Sequence, residues 1–402
     1  MTAPADLMLR AARHDTPDIG VDTSSPAATQ GVDFDRRVFC IGGLPIDALD
    51  MGEAVLRVRE AAFSGTRCVI ATPNLNFLAA ARTDADFRDS VCRSDLVLAD
   101  GMPLVWIARL LGLPIRQRVS GAGLFEALCA HPGPAITVYF YGGPPGAAAA
   151  ACATLERLQG GLRCVGHESP PFASLDVLSG PETIDRINRS QAQFVIVALG
   201  AQKGQAWIER NRARLCAPVL CHLGAVINFA AGTVSRAPRL LQRAGLEWLW
   251  RIKEEPALWR RYWRDGHHFV ALLLTRVLPY AVRLRRQALL GVPQSRSELR
   301  VEQGPDATIL LPSGPCTQAA LGAFRAALSD AARDPRPLKI DLRGVGLIDA
   351  SFVALLMLAR AAFRGRLDIV GASPDVVRLL YLCDAEFLLS ELTSVKAEAR
   401  QA

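Results

Sequence analysis

The chain has 402 residues, half of them apolar and 21% charged, which is too long for one ordinary domain and suits a packed globular protein of two. Its net charge of +7 favours anionic partners, whether phosphates, nucleic acid or an acidic membrane surface. The 10 cysteines are scattered, several inside apolar runs (Cys68, Cys164, Cys221), and no CxxC pair or Cys/His cluster has metal-ligand spacing, so the composition argues against a zinc site and for a reduced, cytosolic protein.

Residues 1–35 are rich in Ala, Thr, Asp, Pro and Ser and read as a disordered tail, without the basic start and apolar core of a signal peptide. No later run reaches the roughly 18 apolar residues that span a bilayer. From Val38 onward, short apolar runs alternate with helix-like stretches. The runs are Cys68–Ala71, Leu96–Ala99, Ile136–Tyr141, Phe194–Leu199 and Val219–Leu223. Most are continuously apolar, as strands buried on both faces should be. Asn76–Cys92 and Pro145–Gln159 between them are long enough for crossover helices. The alternation predicts an α/β fold with a parallel, Rossmann-like sheet over residues 36–235.

Polar residues and glycines gather directly after these runs: Thr72-Pro73-Asn74, Asp100-Gly101, Gly142-Gly143, Gly200 to Lys203 and Gly224-Ala225. They fall at the carboxyl ends of the predicted strands, where open α/β sheets bind ligands. Asp100, a lone carboxylate between a strand and a glycine, is a candidate general base or the cap of a helix starting near Pro103. Thr72 and Asn74 either hold a hydroxyl or phosphate or shape the Pro73 turn. Gly142 and Gly143 permit close backbone approach, and Arg118 could pair with phosphate. The six histidines form no convincing ligand set, and His267-His268 reads as a helix face.

Residues 236–290 interleave arginines, among them Arg251 and Arg261, with Trp248, Trp250, Trp259, Tyr262 and Trp263, and form a basic aromatic helical appendage. That pattern predicts contact with an anionic membrane surface. It would also fit nucleic acid, but no recognised nucleic-acid module accompanies it. After a linker at Gly291–Ser295, residues 298–402 predict a small α/β unit able to fold alone. Its elements are a strand around Ala307–Leu311, a helix from Gln318 to Ala332, a strand Leu338–Leu342, a helix Ser351–Phe363 and a strand Leu367–Val370.

Over about Val38 to Arg264 the sequence resembles the WecG/TagA/CpsF bacterial glycosyltransferases. The carriers, in order, are Thr72-Pro73-Asn74, Ala99-Asp100-Gly101, Arg118-Val119-Ser120-Gly121, Phe140 to Pro144, Leu199-Gly200 and Leu223-Gly224-Ala225. Ala231-Gly232, Arg236-Ala237-Pro238, Gly245-Leu246-Glu247-Trp248, Arg251 and Glu255-Pro256 follow. The resemblance implies an inverting, metal-independent transfer, needing no cofactor, from a UDP-sugar to a polyprenyl-diphosphate-linked sugar at the inner membrane face during exopolysaccharide, capsule or surface-glycan assembly. It makes Asp100 the base, places Thr72, Asn74 and Arg118 in the site, and sends Arg251 and Arg261 to the diphosphate. One segment departs from the family pattern. Where Gly-x-Pro-Lys-Gln-Glu is usual, this chain reads Gly200-Ala201-Gln202-Lys203-Gly204-Gln205, leaving Gln202 or Gln205 as stand-ins.

The C-terminal unit resembles a STAS domain through Lys339 to Val345 and Leu347-Ile348-Asp349-Ala350-Ser351. That resemblance makes Ser351 a candidate phosphorylation site and the unit a docking module for a protein partner. The rival function is a degenerate transferase fold that senses a nucleotide sugar and signals through this unit. A dinucleotide oxidoreductase lacks the GxGxxG turn after its first strand.

Overall fold

The computed structural model describes residues 31–224, 226–227, 238, 241, 246–254, 256–290 and 296–389. The predicted tail up to residue 30, the linker at 291–295 and the blocks at 231–232 and 236–237 lie outside the described residues.

An antiparallel hairpin, β1 (Val38–Ile41) and β2 (Leu44–Asp47), precedes the main sheet. That sheet contains β3 (Cys68–Ala71), β4 (Leu96–Val97), β5 (Ile136–Gly142), β6 (Leu162–Glu168), β7 (Phe194–Ala198) and β8 (Val219–His222). Their order is β4-β3-β8-β7-β5-β6, all parallel. β3 is buried along its whole length, as the apolar Cys-Val-Ile-Ala run requires of a strand covered on both faces. The predicted helix Asn76–Cys92 is two helices, Leu75–Thr83 and Ala85–Cys92. Asp84 ends the first with an extended backbone, and its carboxylate accepts from the Phe87 N–H to cap the second. The hairpin and β6 were missed in the sequence, β6 because its run mixes polar and apolar residues.

One correction concerns the cysteines. Cys152, on the helix Ala147–Leu158, and Cys164, on β6, form a disulfide, so the expectation of an entirely reduced chain does not hold at this pair. The helix packs directly on that strand, which brings the two positions together.

The appendage consists of the helix Glu247–Glu254, a short turn at Pro256–Leu258 and the helix Trp259–Leu272. The last runs through a π-helical turn, Leu273–Val277, into Leu278–Leu290. Among the described residues no helix is long and apolar enough to cross a membrane.

The C-terminal sheet contains β9 (Glu298–Gln303), β10 (Thr308–Cys316), β11 (Leu338–Asp341), β12 (Val345–Ile348) and β13 (Leu367–Val370). β10 pairs in parallel with β11 and β12 and antiparallel with β9, and β13 extends β11. The mixed α/β character agrees with the sequence, but the separateness of the unit does not. Its helix Ala350–Phe363 is buried at almost every position and packs against β1 and β2. Phe34, Val38, Cys40 and Tyr280 share one apolar core with Phe352, Leu355, Leu356 and Leu380.

The appendage is tied to the same unit. At the π-helical turn Arg276 lays its guanidinium on the Tyr381 ring, with Nε 3.4 Å from Asp384 and Nη1 3.2 Å from Glu386. Such a turn re-aims one side chain out of the helical register, and here it sends an arginine into the C-terminal unit.

Candidate active site

The carboxyl ends of β3, β4, β5, β7 and β8 open into a cavity of about 670 Å³, roofed by the appendage. Its volume is that of a small-molecule site.

Asp100 follows β4 and faces this cavity. It does not cap the helix Met102–Leu110, whose N-cap is Gly101 with no side-chain hydrogen bond. Its Oδ1 accepts instead from Arg118 Nε at 3.3 Å and Nη2 at 3.2 Å, and its Oδ2 from the Gly121 N–H at 3.1 Å. Gly121 opens the helix Gly121–Cys129, so the carboxylate sits at a helix N-terminus, where negative charge is stabilised. Burial nonetheless dominates and holds the Asp100 carboxyl above the ordinary carboxylate range, against the lowering pull of Arg118 and Gly121. A carboxylate kept basic and fixed by three donors has the properties of a general base.

Arg118 extends its other nitrogen, Nη1, to Glu247 at the start of the appendage. Burial lowers the pKa of this guanidinium, but Asp100 and Glu247 outweigh it and the net shift is upward. Arg118 therefore couples the candidate base to the roof.

Thr72 is buried in the cavity wall. Asn74 also lines it and caps the helix Leu75–Thr83, its Oδ1 accepting from the Asn76 and Phe77 N–H groups. With that oxygen committed, the amide NH₂ is what Asn74 has to offer a ligand. Gly143 lines the cavity, but Gly142, expected beside it in the site, does not. At φ +103°, a Cβ on Gly142 would stand 2.6 Å from the Ala198 carbonyl oxygen.

Arg251 and Arg261 reach the cavity from the appendage. Gln202 and Gln205 do not line it. Gln202 points to Asp84, with Nε2 3.4 Å from Oδ2, and Gln205 is 1% exposed, donating to Ser90 O and Ser94 Oγ. Neither side chain therefore stands in the cavity.

The C-terminal candidate also changes. Ser351 is 1% exposed, and its hydroxyl donates to Asp349 Oδ1 at 2.6 Å. Asp349, not Ser351, caps the helix Ala350–Phe363. A hydroxyl held this way is not presented to a kinase in this structure.

Among the polar side chains of the cavity wall, Glu247, Asp265 and His222 were given no site role in the sequence. Asp265 is 5% exposed, its Oδ1 has no hydrogen-bond partner among the described residues, and burial raises its pKa despite Arg261 and Arg264 nearby. Asp265 stands alone inside an appendage helix, and His222 falls within the apolar run Val219–Leu223 rather than in the polar turn after it, so neither carried a signal. Glu247 alone had one, its place in the Leu-Glu-Trp block beside Arg251.

Residues 39–283 match the model of the Glycosyl transferase WecG/TagA/CpsF family, and residues 299–390 match that of the Mlab, STAS domain. The chain is 29% identical over 210 residues, 52% of its own length and 79% of the relative's, to a Bacillus spizizenii protein. That relative is named N-acetylglucosaminyldiphosphoundecaprenol N-acetyl-beta-D-mannosaminyltransferase. With more than half of its length matched, this chain belongs to the WecG/TagA/CpsF family of glycosyltransferases and carries a C-terminal STAS domain.

Proposed function

We propose that the protein transfers a sugar from a UDP-sugar to a polyprenyl-diphosphate-linked acceptor, with inversion and without a metal, in the assembly of an exopolysaccharide, capsule or other surface glycan. The observation that carries this reading is the Asp100 carboxylate, held by Arg118 and Gly121 at the edge of a cavity that also receives Arg251 and Arg261. Asp100 would take the proton of the acceptor hydroxyl as that oxygen attacks the anomeric carbon. The bond to the leaving diphosphate breaks on the opposite face, which inverts the configuration. Arg251 and Arg261 neutralise the charge that gathers on the diphosphate. Arg118 keeps the base oriented and lends part of its charge as the proton moves.

The acceptor class is supported by the name of the Bacillus relative, which specifies an N-acetylglucosaminyl diphosphoundecaprenol. Such an acceptor stays in the membrane, so the enzyme must work at its surface. Trp248, Trp259 and Trp263 of the appendage and Trp106 of the cavity rim are exposed, with Arg260 and Arg264 beside them. Indole rings at the interface and guanidinium groups at the headgroups suit peripheral binding to the inner face of the membrane. A panel of UDP-sugars incubated with a short-chain N-acetylglucosaminyl diphosphate lipid tests the reading. The expected result is a disaccharide product of inverted configuration formed in the presence of a chelator. No transfer from any donor by folded protein would overturn it.

A further inference from the structure

His222 ends β8 in the floor of the cavity, between β3 and β7. Its ring lies in a slot between two glycines. A Cβ on Gly204, in the first turn of the helix Ala201–Asn211, would stand 2.2 Å from His222 Cδ2 and 2.9 Å from Cγ. A Cβ on Gly224 would stand 3.3 Å from Nε2. A side chain at position 204 and an imidazole at position 222 therefore exclude each other.

Position 204 is also where the chain departs from the pattern of the family it resembles, with glycine in place of the usual glutamine. Neither neighbouring glutamine faces the cavity, since Gln202 and Gln205 both turn away from it. The His222 ring occupies the space that a side chain at position 204 would need. Its Nε2 is out of contact with water and has no hydrogen-bond partner among the described residues. A buried ring nitrogen without a partner is costly in a finished core, and in a cavity wall it is a hydrogen bond left for a ligand.

We propose that His222, seated over Gly204, is a specificity-determining residue of the donor site that hydrogen-bonds an uncharged polar group of the nucleotide sugar. The inference rests on the transferase reading given above and deepens it. The group it meets is a neutral one, in the base or in a hydroxyl or amide of the transferred sugar. Burial lowers the His222 pKa to about 4, so the ring presents a neutral imidazole, one N–H donor and one acceptor, suited to a neutral polar group. The cationic side chains of the same cavity, Arg118, Arg251 and Arg261, are the ones suited to phosphate. Placement on the strand ends favours the donor over the lipid acceptor, because open α/β sheets take nucleotides there.

Calorimetric titration of the full-length protein with UDP and with UDP-N-acetylhexosamines tests this. His222→Phe keeps a ring in the slot and removes its nitrogens, and His222→Ala serves if the larger ring impairs folding. Either variant is expected to bind UDP-sugar about tenfold more weakly, the effect of one lost hydrogen bond to a ligand. KM for the lipid acceptor should stay unchanged. Equal weakening for UDP and UDP-sugar places the contact on the base, and weakening for UDP-sugar alone places it on the sugar. The exchange His222→Gly with Gly204→Gln is expected to fold and to alter the ranking of donors. Binding within about twofold of wild type by the folded His222 variants overturns the inference while leaving the transferase reading intact. Wild-type protein that binds neither UDP nor any UDP-sugar overturns both.

Discussion

Two acidic residues at helix starts, Asp349 in the C-terminal unit and Asp100 in the cavity, do opposite work. Asp349 is fully occupied: it accepts from the N–H groups of Gln318, Ser351 and Phe352 and from the Ser351 hydroxyl. Asp100 shares Arg118 with a second carboxylate, Glu247, and is held above its ordinary pKa. Around it, His222 Nε2, Arg261 Nε and Asp265 Oδ1 are buried with no partner among the described residues. Polar groups that satisfy one another build structure, whereas polar groups left wanting around a cavity are arranged for something that enters it.

The sharpest way to break this contrast is to damage the satisfied side. Phe352 is fully buried, 5.2 Å from the Phe324 ring, in the core that also contains Val38 and Cys40 of the transferase hairpin. Phe352→Ala is expected to cost about 3–5 kcal/mol, and because the core is shared the whole chain should melt in one lowered transition. A transferase transition left unmoved in calorimetry would restore the picture of two separate units. Ser351→Asp should come next, at about 3 kcal/mol, because it places a second carboxylate against Asp349 in a site closed to water. Chemical denaturation should find Ser351→Ala within about 1 kcal/mol of wild type. A Ser351→Asp protein as stable as wild type would reopen the serine as a switch.

Arg276→Met is expected to cost about 2 kcal/mol, the smaller loss reflecting Arg82, which remains 3.6 Å from Asp384. Burial already raises the Asp384 pKa, so removing Arg276 should raise it further. The penalty should therefore shrink as the pH falls and Asp384 is protonated, which denaturation at neutral and acidic pH would reveal. The smallest change is expected at Asp100, and its sign is the informative part. Its pKa is raised on folding, so its contribution to stability is fully present below the unfolded pKa and is lost as pH rises through the folded value. Once ionised, the carboxylate therefore weighs against the fold. Asp100→Asn should melt at or slightly above the wild-type temperature, the difference closing as the pH is lowered. A clear loss of stability would make Asp100 a structural residue like Asp349.

Most of the transferase sheet could be read from the chain because its strands are continuously apolar and end in glycine or polar turns, as at Cys68–Ala71 before Thr72. The mixed-polarity β6 gave no such signal, whereas β1 did, an apolar run before Gly42-Gly43 that was passed over. Asp100, Arg118, Thr72, Asn74, Gly143, Arg251 and Arg261 were legible as cavity residues because each sits in a motif or at a strand end. Gln202 and Gln205 misled because sequence position does not say which side of a helix faces the ligand: Gln205 is on the buried side, against Ser90 and Ser94. His222 and Asp265 were illegible, since their significance lies in burial without a partner, which only the folded arrangement creates. The shared core was illegible for the same reason, because Val38 and Leu355 are far apart in sequence.

Single-turnover transfer by Asp100→Asn tests most directly whether this cavity performs sugar transfer with Asp100 as its base. The variant is expected to fold, to keep near-wild-type donor affinity and to react more slowly by roughly a hundredfold to ten-thousandfold, the worth of a general base. Transfer at close to the wild-type rate by the folded variant would contradict it.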